Sequence, residues 1–475
     1  MAKLTFLLGA GASFPFGIPM MRQFYLGFSD YVGTQRAHCR PLLDTLSAGA
    51  DGAADLELLI QRLEQVRAMR AGLAALGRDD AELRARIDLA DELRGYLDAY
   101  LIETCEAFDR ERVKADLEAF VKLAFTQRAT VFTTIYDRLI ETAATAAGVA
   151  VADGFEPMSS RPEARWSGGF SQGLKLVKLH GSVSWYQEEG SDDVFRLERG
   201  YPLPSHEYRL THGSRALRPL MIIPTLEKAI LSIPYATLFT QFIDTLRDTE
   251  LLLVIGNSLR DEHIRNTIRE RANSLHIVLI GPAAVTQTQI FAGAPSVHAF
   301  PVRTEQFLKL GITSLDDLLQ GVGRTTDKAV QRTLIAEYCT KVGELAAQRA
   351  SMSAEEQRLL NDLRDPALSK KLDAIRRIGS PAHTVLVEEV RALSLGSDDE
   401  SVRIASIDRL VDIQGEGAVD TLLAIASAQG AVSVRAEAIL ALRSMSGTSA
   451  TDAARALGST ISSDAPLAPL FRHGG

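Results

Sequence analysis

Apolar and β-branched residues cluster in six short runs, at residues 4–8, 130–134, 174–179, 220–223, 251–255 and 277–280. Runs this short, bounded by glycine or polar residues, read as buried strands. Helical patterns lie between many of them, and parallel neighbours need crossovers that are usually helices, so the alternation predicts a mostly parallel sheet covered on both faces. Over residues 54–125 the period changes. Leu56, Leu59, Ile60 and Leu63 fall on one helical face, which predicts a helical insertion between the first two strands that caps or flanks a cleft. Beyond Val302 the pattern is helical to the end of the chain.

Glycine and polar residues come directly after four of these strands. Leu8 runs into Gly9-Ala10-Gly11-Ala12-Ser13, Thr134 into Ile135-Tyr136-Asp137, Leu179 into His180-Gly181-Ser182, and Ile255 into Gly256-Asn257-Ser258. In an open parallel sheet the carboxyl ends of the strands share one edge, and ligands bind in the crevice there. Four segments far apart in the chain are therefore expected to converge on one site.

The C-terminal part carries an internal repeat. Residues 370–378, 402–410 and 434–442 align with a constant spacing of 32, so that Ile375, Ile407 and Ile439 occupy equivalent places. A fixed period of this size predicts a helical solenoid, each helix pair burying its apolar face against its neighbours. The units resemble HEAT repeats, with a period shorter than is usual for them. Solenoids commonly bind or assemble and rarely catalyse.

With 475 residues, 46% hydrophobic and 24% charged, the chain has ordinary globular composition and length for two or three domains. The domain expectation is residues 1–302 for the α/β part, 303–360 for a helical connector and 361–475 for the repeats. A formal net charge of −8 gives no global attraction to phosphate backbones, so nucleic acid is not an expected partner. Cys39, Cys105 and Cys339 lie far apart, which excludes a paired disulfide or zinc spacing, and no metal is expected. No run has the length of a leader or a bilayer span, and the expectation is a cytoplasmic protein with no membrane partner.

The glycines of the first loop suit a tight turn and close approach of backbone N–H groups to a pyrophosphate. His180, just past a strand end, can take a proton near neutral pH as a general base, or can be a structural histidine bonded to a carbonyl. Asp137 can accept from an amide or a ribose hydroxyl, or cap the helix that begins near Arg138. Asn257 and Ser258 can bind a ribose or phosphate, or simply make the turn after Gly256. Asp261-Glu262-His263 reads as a first helical turn with no catalytic role. Residues 169–173 fit a G-x-S-x-G spacing, but a loop before and a strand after are expected, so this is no nucleophile elbow.

Gly9 to Ser13 with Gly17-Ile18-Pro19 and Arg22, then Thr133-Thr134-Ile135-Tyr136-Asp137, residues 178–182 and Gly256-Asn257-Ser258-Leu259 together resemble the sirtuin-like superfamily. The likeness covers about residues 1–300 and is closer to bacterial defence-associated NAD hydrolases than to protein deacylases. It implies an α/β fold, a Rossmann-like mostly parallel sheet with a helical insertion, followed here by an all-α helical-repeat domain. It implies NAD+ as substrate, cleaved to nicotinamide and ADP-ribose in anti-phage defence. By the same resemblance His180 is the base and Asp137 lies on the nicotinamide side. Gly9, Ala10, Gly11, Ala12, Ser13 and Arg22 are then the phosphate loop, Thr133, Thr134 and Ile135 part of the NAD site, and Gly256, Asn257 and Ser258 the border of the adenosine ribose. A homo-oligomer and a regulatory or phage protein on the repeats complete the implied partners. Two departures stand out. The four-cysteine zinc module of the deacylases is missing, and Ile135 occupies the place of an asparagine that helps order ribose and water. A catalytically weak NAD or ADP-ribose sensor and an ADP-ribosyltransferase are the alternatives.

Overall fold

Among the described residues the strands run in chain order as β1 (Leu4–Leu8), β2 (Thr130–Thr133), β3 (Val151–Ala152), β4 (Gly154–Pro157), β5 (Ala164–Gly169), β6 (Leu174–Lys178), β7 (Gly181–Glu188), β8 (Val194–Arg196), β9 (Leu210–His212), β10 (Arg215–Met221), β11 (Leu251–Ile255), β12 (His276–Ile280) and β13 (Val297–Phe300). The computed structural model describes residues 3–47, 56–75, 80–158, 163–188, 191–197, 210–212, 215–221, 233–379, 382–445, 447–461 and 467. The chain divides into two units, residues 1–343 and 344–475.

Seven strands of the first unit form one sheet in the order β13-β12-β11-β1-β2-β6-β3. Every neighbouring pair in it is parallel. Every residue of β1, β11 and β12 is buried. Strands covered on both faces cannot alternate apolar with polar, which is why these segments read as continuous apolar runs. Five of the six predicted strands lie in this sheet, a Rossmann-like α/β arrangement.

The sixth does not. Leu220 and Met221 belong to β10 of a separate antiparallel sheet ordered β4-β5-β8-β7-β10-β9, where β10 pairs with β7. Residues 222–223 lie outside the described ones. A short apolar run specifies burial and not its partner strand, so its assignment to the parallel sheet was open to this error. Trp185 anchors the second sheet, fully buried, with its ring 5.0 Å from Phe155 and 5.9 Å from Trp166. A strand, β5, precedes the G-x-S-x-G spacing where a loop was expected; β6 comes after it, so the nucleophile elbow is still excluded.

Between β6 and β7 the chain passes from the parallel sheet to the antiparallel one within two residues. β6 ends at Lys178, β7 begins at Gly181, and Leu179 and His180 are the link. Gly181 has φ +82°, and a Cβ there would lie 2.5 Å from the Leu220 carbonyl oxygen, so only glycine makes this turn.

The insertion contains helices Leu56–Ala75, Ala81–Glu106 and Arg110–Thr126; residues 54–55 lie outside the described ones. Leu56, Leu59, Ile60 and Leu63 are all buried, as their spacing predicts. Asp80 and Asp109 cap the second and third helices, accepting from the Leu83 and Arg112 N–H groups. Arg70 bridges to Asp88 at 2.6 Å and to Asp91 at 2.7 Å across the first two. Such exposed pairs contribute about 0–1 kcal/mol each, whereas one buried leucine contributes about 1.5–3 kcal/mol, so the apolar seam holds the insertion together.

The secondary structure of the second unit is all helical among its described residues. Helices Leu368–Arg377, Glu400–Gln414 and Val432–Ser444 bury the same three places of each copy: Ala374, Ile375 and Ile378; Ser406, Ile407 and Leu410; Ala438, Ile439 and Leu442. A polar contact recurs with them. Arg403 Nε donates to the Ser394 carbonyl at 3.2 Å and Arg435 Nε to that of Ala426 at 3.1 Å. Among the described residues no helix is long and apolar enough to cross a membrane.

Candidate functional site

From β1 the sheet is built outward in both directions, β2, β6 and β3 on one side and β11, β12 and β13 on the other. The loops after β1 and β11 therefore flank the switch point, where a crevice opens at the carboxyl edge. These loops touch backbone to backbone. Gly9 N–H donates to the Ile255 carbonyl at 2.9 Å and Gly11 N–H to that of Gly256 at 2.8 Å. A Cβ on Gly9 would lie 2.3 Å from Asn257 Cα, and one on Gly11 2.8 Å from Gly256 Cα. The N–H of Ala12 is spent on the Gly9 carbonyl at 2.7 Å. The glycines thus serve loop–loop contact, and the amides of Gly9, Gly11 and Ala12 are already engaged, which differs from the expectation of amides presented to a pyrophosphate.

A cavity of about 350 Å³ opens beside them. Of the residues expected at the site, Gly9, Ala10, Arg22, Thr134, Ile135, His180, Gly256, Asn257 and Ser258 line it. Ile18, Phe24 and Leu101 form its apolar side, Phe24 and Leu101 coming from helices Met21–Gln35 and Ala81–Glu106. The insertion therefore contributes a wall, as its place in the chain predicts. Asn257 is held rather than free: its amide donates to Thr134 Oγ1 at 3.1 Å and its side-chain oxygen accepts from Leu259 N–H at 2.8 Å. The Arg22, Ser258 and Arg260 side chains also line the cavity and make no hydrogen bond or ion pair with the described residues.

His180 is 8% exposed, and its Nε2 lies 2.9 Å from Asp261 Oδ2. The other Asp261 oxygen accepts from the N–H groups of His263 at 2.9 Å and Ile264 at 3.2 Å, capping helix Glu262–Arg271. Burial works against the Asp261 charge, but the His180 hydrogen bond and charge and the two backbone donors outweigh it and hold this carboxyl below its ordinary range.

Gly11, Ala12, Ser13, Thr133 and Asp137 do not line this cavity. Asp137 is buried, accepting from Ser13 Oγ at 2.6 Å and from Leu139 N–H at 3.1 Å. Lys178, fully buried, donates to the Asp137 carbonyl and, at 2.8 Å, to Glu141 Oε1. Burial raises the Asp137 pKa above its ordinary value, against Lys178, the Ser13 hydroxyl and the Leu139 N–H. Ser13, Thr133, Asp137 and Lys178 border a separate void of about 20 Å³, room for one water. Ile135 lines both spaces, and its N–H is bonded to Thr133 Oγ1 at 3.1 Å.

Sequence reasoning passed over Arg260 and read Asp261 only as a helix start. The signal was present: both come after the Gly256-Asn257-Ser258 turn at the same sheet edge, and the convergence that selected Ser258 extends to them. No sequence pattern, by contrast, marks Asp137 as missing from the cavity wall.

Residues 129–276 match the family described as SIR2-like domain. Among solved structures, a Sir2 homologue in complex with NAD is 14% identical with a TM-score of 0.38, covering 67% of this chain and 90% of that one. A Sir2 homologue mutant in complex with ADP-ribose is 16% identical with a TM-score of 0.37, covering 67% and 93%. A structure described as the basis for the mechanism and regulation of Sir2 enzymes is 13% identical with a TM-score of 0.36, covering 67% and 93%. No curated protein matches the chain.

Proposed function

We propose that the first unit binds NAD+ and hydrolyses its nicotinamide–ribose bond, with His180 as the base. The observation that carries this reading is the placement of His180 on the wall of a cavity at the switch point of a parallel sheet, between the loops after β1 and β11. The match of residues 129–276 to the SIR2-like domain supports it. The donor set fits an anionic dinucleotide: Arg22 and Arg260 bring guanidinium groups to the cavity, and the Ser258 hydroxyl, without a hydrogen-bond partner among the described residues, can meet a ribose. The arginines, rather than the spent glycine amides, carry the pyrophosphate in this reading.

In the reaction the C–N bond breaks with its electron pair leaving on nicotinamide, and positive charge develops on the ribose. Water supplies the new C–O bond, and its proton passes to His180. The apolar side formed by Ile18, Phe24 and Leu101 excludes bulk water and strengthens the electrostatics of the site. Liquid chromatography of NAD+ incubated with the full chain, alone and with lysate from infected cells, tests the reading. Wild type is expected to yield nicotinamide and ADP-ribose and His180→Ala neither. Equal turnover by the variant would reject His180 as the base.

Ile135 favours a second reading, a sensor that binds NAD+ or ADP-ribose without turnover. An isoleucine on the cavity wall offers neither donor nor acceptor to ribose or water. Calorimetry would then show binding under conditions where chromatography shows no product, and Ile135→Asn would raise hydrolysis. ADP-ribosyl transfer would instead leave labelled ADP-ribose on protein. The wider setting in this proposal is a cytoplasmic homo-oligomer that depletes NAD+ during phage infection, with a regulatory or phage protein taken up by HEAT-like repeats. It is supported by the sequence resemblance.

A further inference from the structure

We propose that Asp261 is the positioning residue of the site, fixing the imidazole of His180 with its proton on Nε2 and leaving Nδ1 as the atom that accepts the proton. This deepens the hydrolase reading and rests on it.

The geometry restricts the carboxylate at both ends. Oδ1 is held by the His263 and Ile264 N–H groups, so the carboxylate plane is fixed to the first turn of the helix, and Oδ2 faces His180 Nε2 at 2.9 Å. An ionised carboxylate only accepts hydrogen bonds, so the nitrogen that meets it must carry the hydrogen. In a neutral imidazole the other nitrogen is then bare, and it is the one able to take a proton. As His180 becomes an imidazolium, Asp261 also stabilises the charge that forms. Asp137, the aspartate that the sequence marks, does not line this cavity, and its carboxylate accepts instead from Ser13 Oγ and the Leu139 N–H. Among the described residues the other ionisable groups on the cavity wall are Arg22, Arg260, Cys105 and Tyr136.

Asp261→Asn separates the capping role from the positioning role. Asparagine caps a helix as well as aspartate, so the helix start survives. Its amide, however, can present N–H to Nε2 and so favours the opposite tautomer, with the hydrogen on Nδ1. The experiment uses the full chain with 15N-labelled histidine, His180 being assigned by difference from His180→Ala, together with NAD+ turnover. Wild type is expected to show His180 with Nε2 protonated and Asp261→Asn with Nδ1 protonated. The variant's kcat should fall about 10²–10⁴-fold, the size of a general-base contribution, with KM little changed. Three results would overturn the proposal: Nδ1 protonated in wild type, the same tautomer in both proteins, or equal kcat despite an inverted tautomer. If wild type does not turn over NAD+ at all, the hydrolase reading fails, and the nitrogen shifts still decide whether Asp261 sets the ring.

Discussion

Gly9→Ala tests the contact on which the site is built. Gly9 has φ −121° and ψ −178°, extended backbone open to any residue, so alanine brings no conformational penalty and its cost is steric. The added Cβ would meet Asn257 Cα at 2.3 Å, Asn257 Cβ at 2.6 Å and the Gly256 carbonyl oxygen at 2.7 Å. Two of these are backbone atoms of a loop anchored in the buried β11, which cannot rotate aside as a side-chain tip does. Overpacking of this kind costs about 1–3 kcal/mol. Parting the loops also stretches the Gly9–Ile255 and Gly11–Gly256 hydrogen bonds, each worth about 1 kcal/mol. The expected destabilisation is about 2–4 kcal/mol. Both tryptophans of the chain, Trp166 and Trp185, lie in the first unit, so urea unfolding followed by tryptophan fluorescence reads that unit. Gly72→Ala is the control: it sits in helix Leu56–Ala75 with nothing within 4 Å of a Cβ, and should stabilise by about 0.5–1 kcal/mol. A Gly9→Ala midpoint equal to wild type would show that the two loops can separate freely, and would refute the account of the glycines as contact residues.

Lys178→Met removes the buried ammonium that joins the Asp137 carbonyl to Glu141. Breaking a buried pair by deleting one partner costs about 3–5 kcal/mol, readable in the same urea assay; a loss below about 1 kcal/mol, the range of an exposed pair, would mean that Glu141 turns out to solvent instead. Stability should also fall in mild acid because of His276 and His298. Burial depresses both pKa values, in His276 against the hydrogen bond of Gln331. The unfolded histidines take up protons first, so their contribution is complete above about pH 6.5 and is lost as pH falls through the folded values. Thermal midpoints between about pH 7.5 and 5.5 check this, and replacing His276 with glutamine should flatten the profile. In the second unit, Ile407→Ala should cost about 2–5 kcal/mol, since the side chain is fully buried at the centre of its copy; far-UV circular dichroism tracks the loss of helix.

The parallel sheet was legible because its central strands are buried on both faces, and continuous burial leaves a continuous apolar run, as in β11 with Leu251 to Ile255. The antiparallel sheet leaves no such trace. β8 and β9 have three residues each, too few for any period, and β5 carries arginine, serine and two glycines among its six. The repeat was legible for a different reason: its regularity lies in sequence spacing itself, and the structure buries Ile375, Ile407 and Ile439 alike.

For the site, the common edge of the strands accounts for what could be read. It brings His180, Ile135, Ser258 and Gly9 to one cavity from four segments. It does not say which polar groups at that edge remain available, since availability depends on neighbours contributed by other loops. The glycine amides are engaged because β11 ends where β1 ends, and Asn257 is engaged because Thr134 stands opposite it. The same dependence separates the two aspartates. Asp137 is engaged by Ser13 and Lys178 away from the cavity, whereas Asp261 caps a helix and lines it. An isoleucine at position 135 withholds a polar group from the cavity, and Asp137 does not line it. Under the proposed reading, His180 must rely on Asp261. Ile135→Asn is then expected to matter through the ribose and water that it contacts rather than through the base.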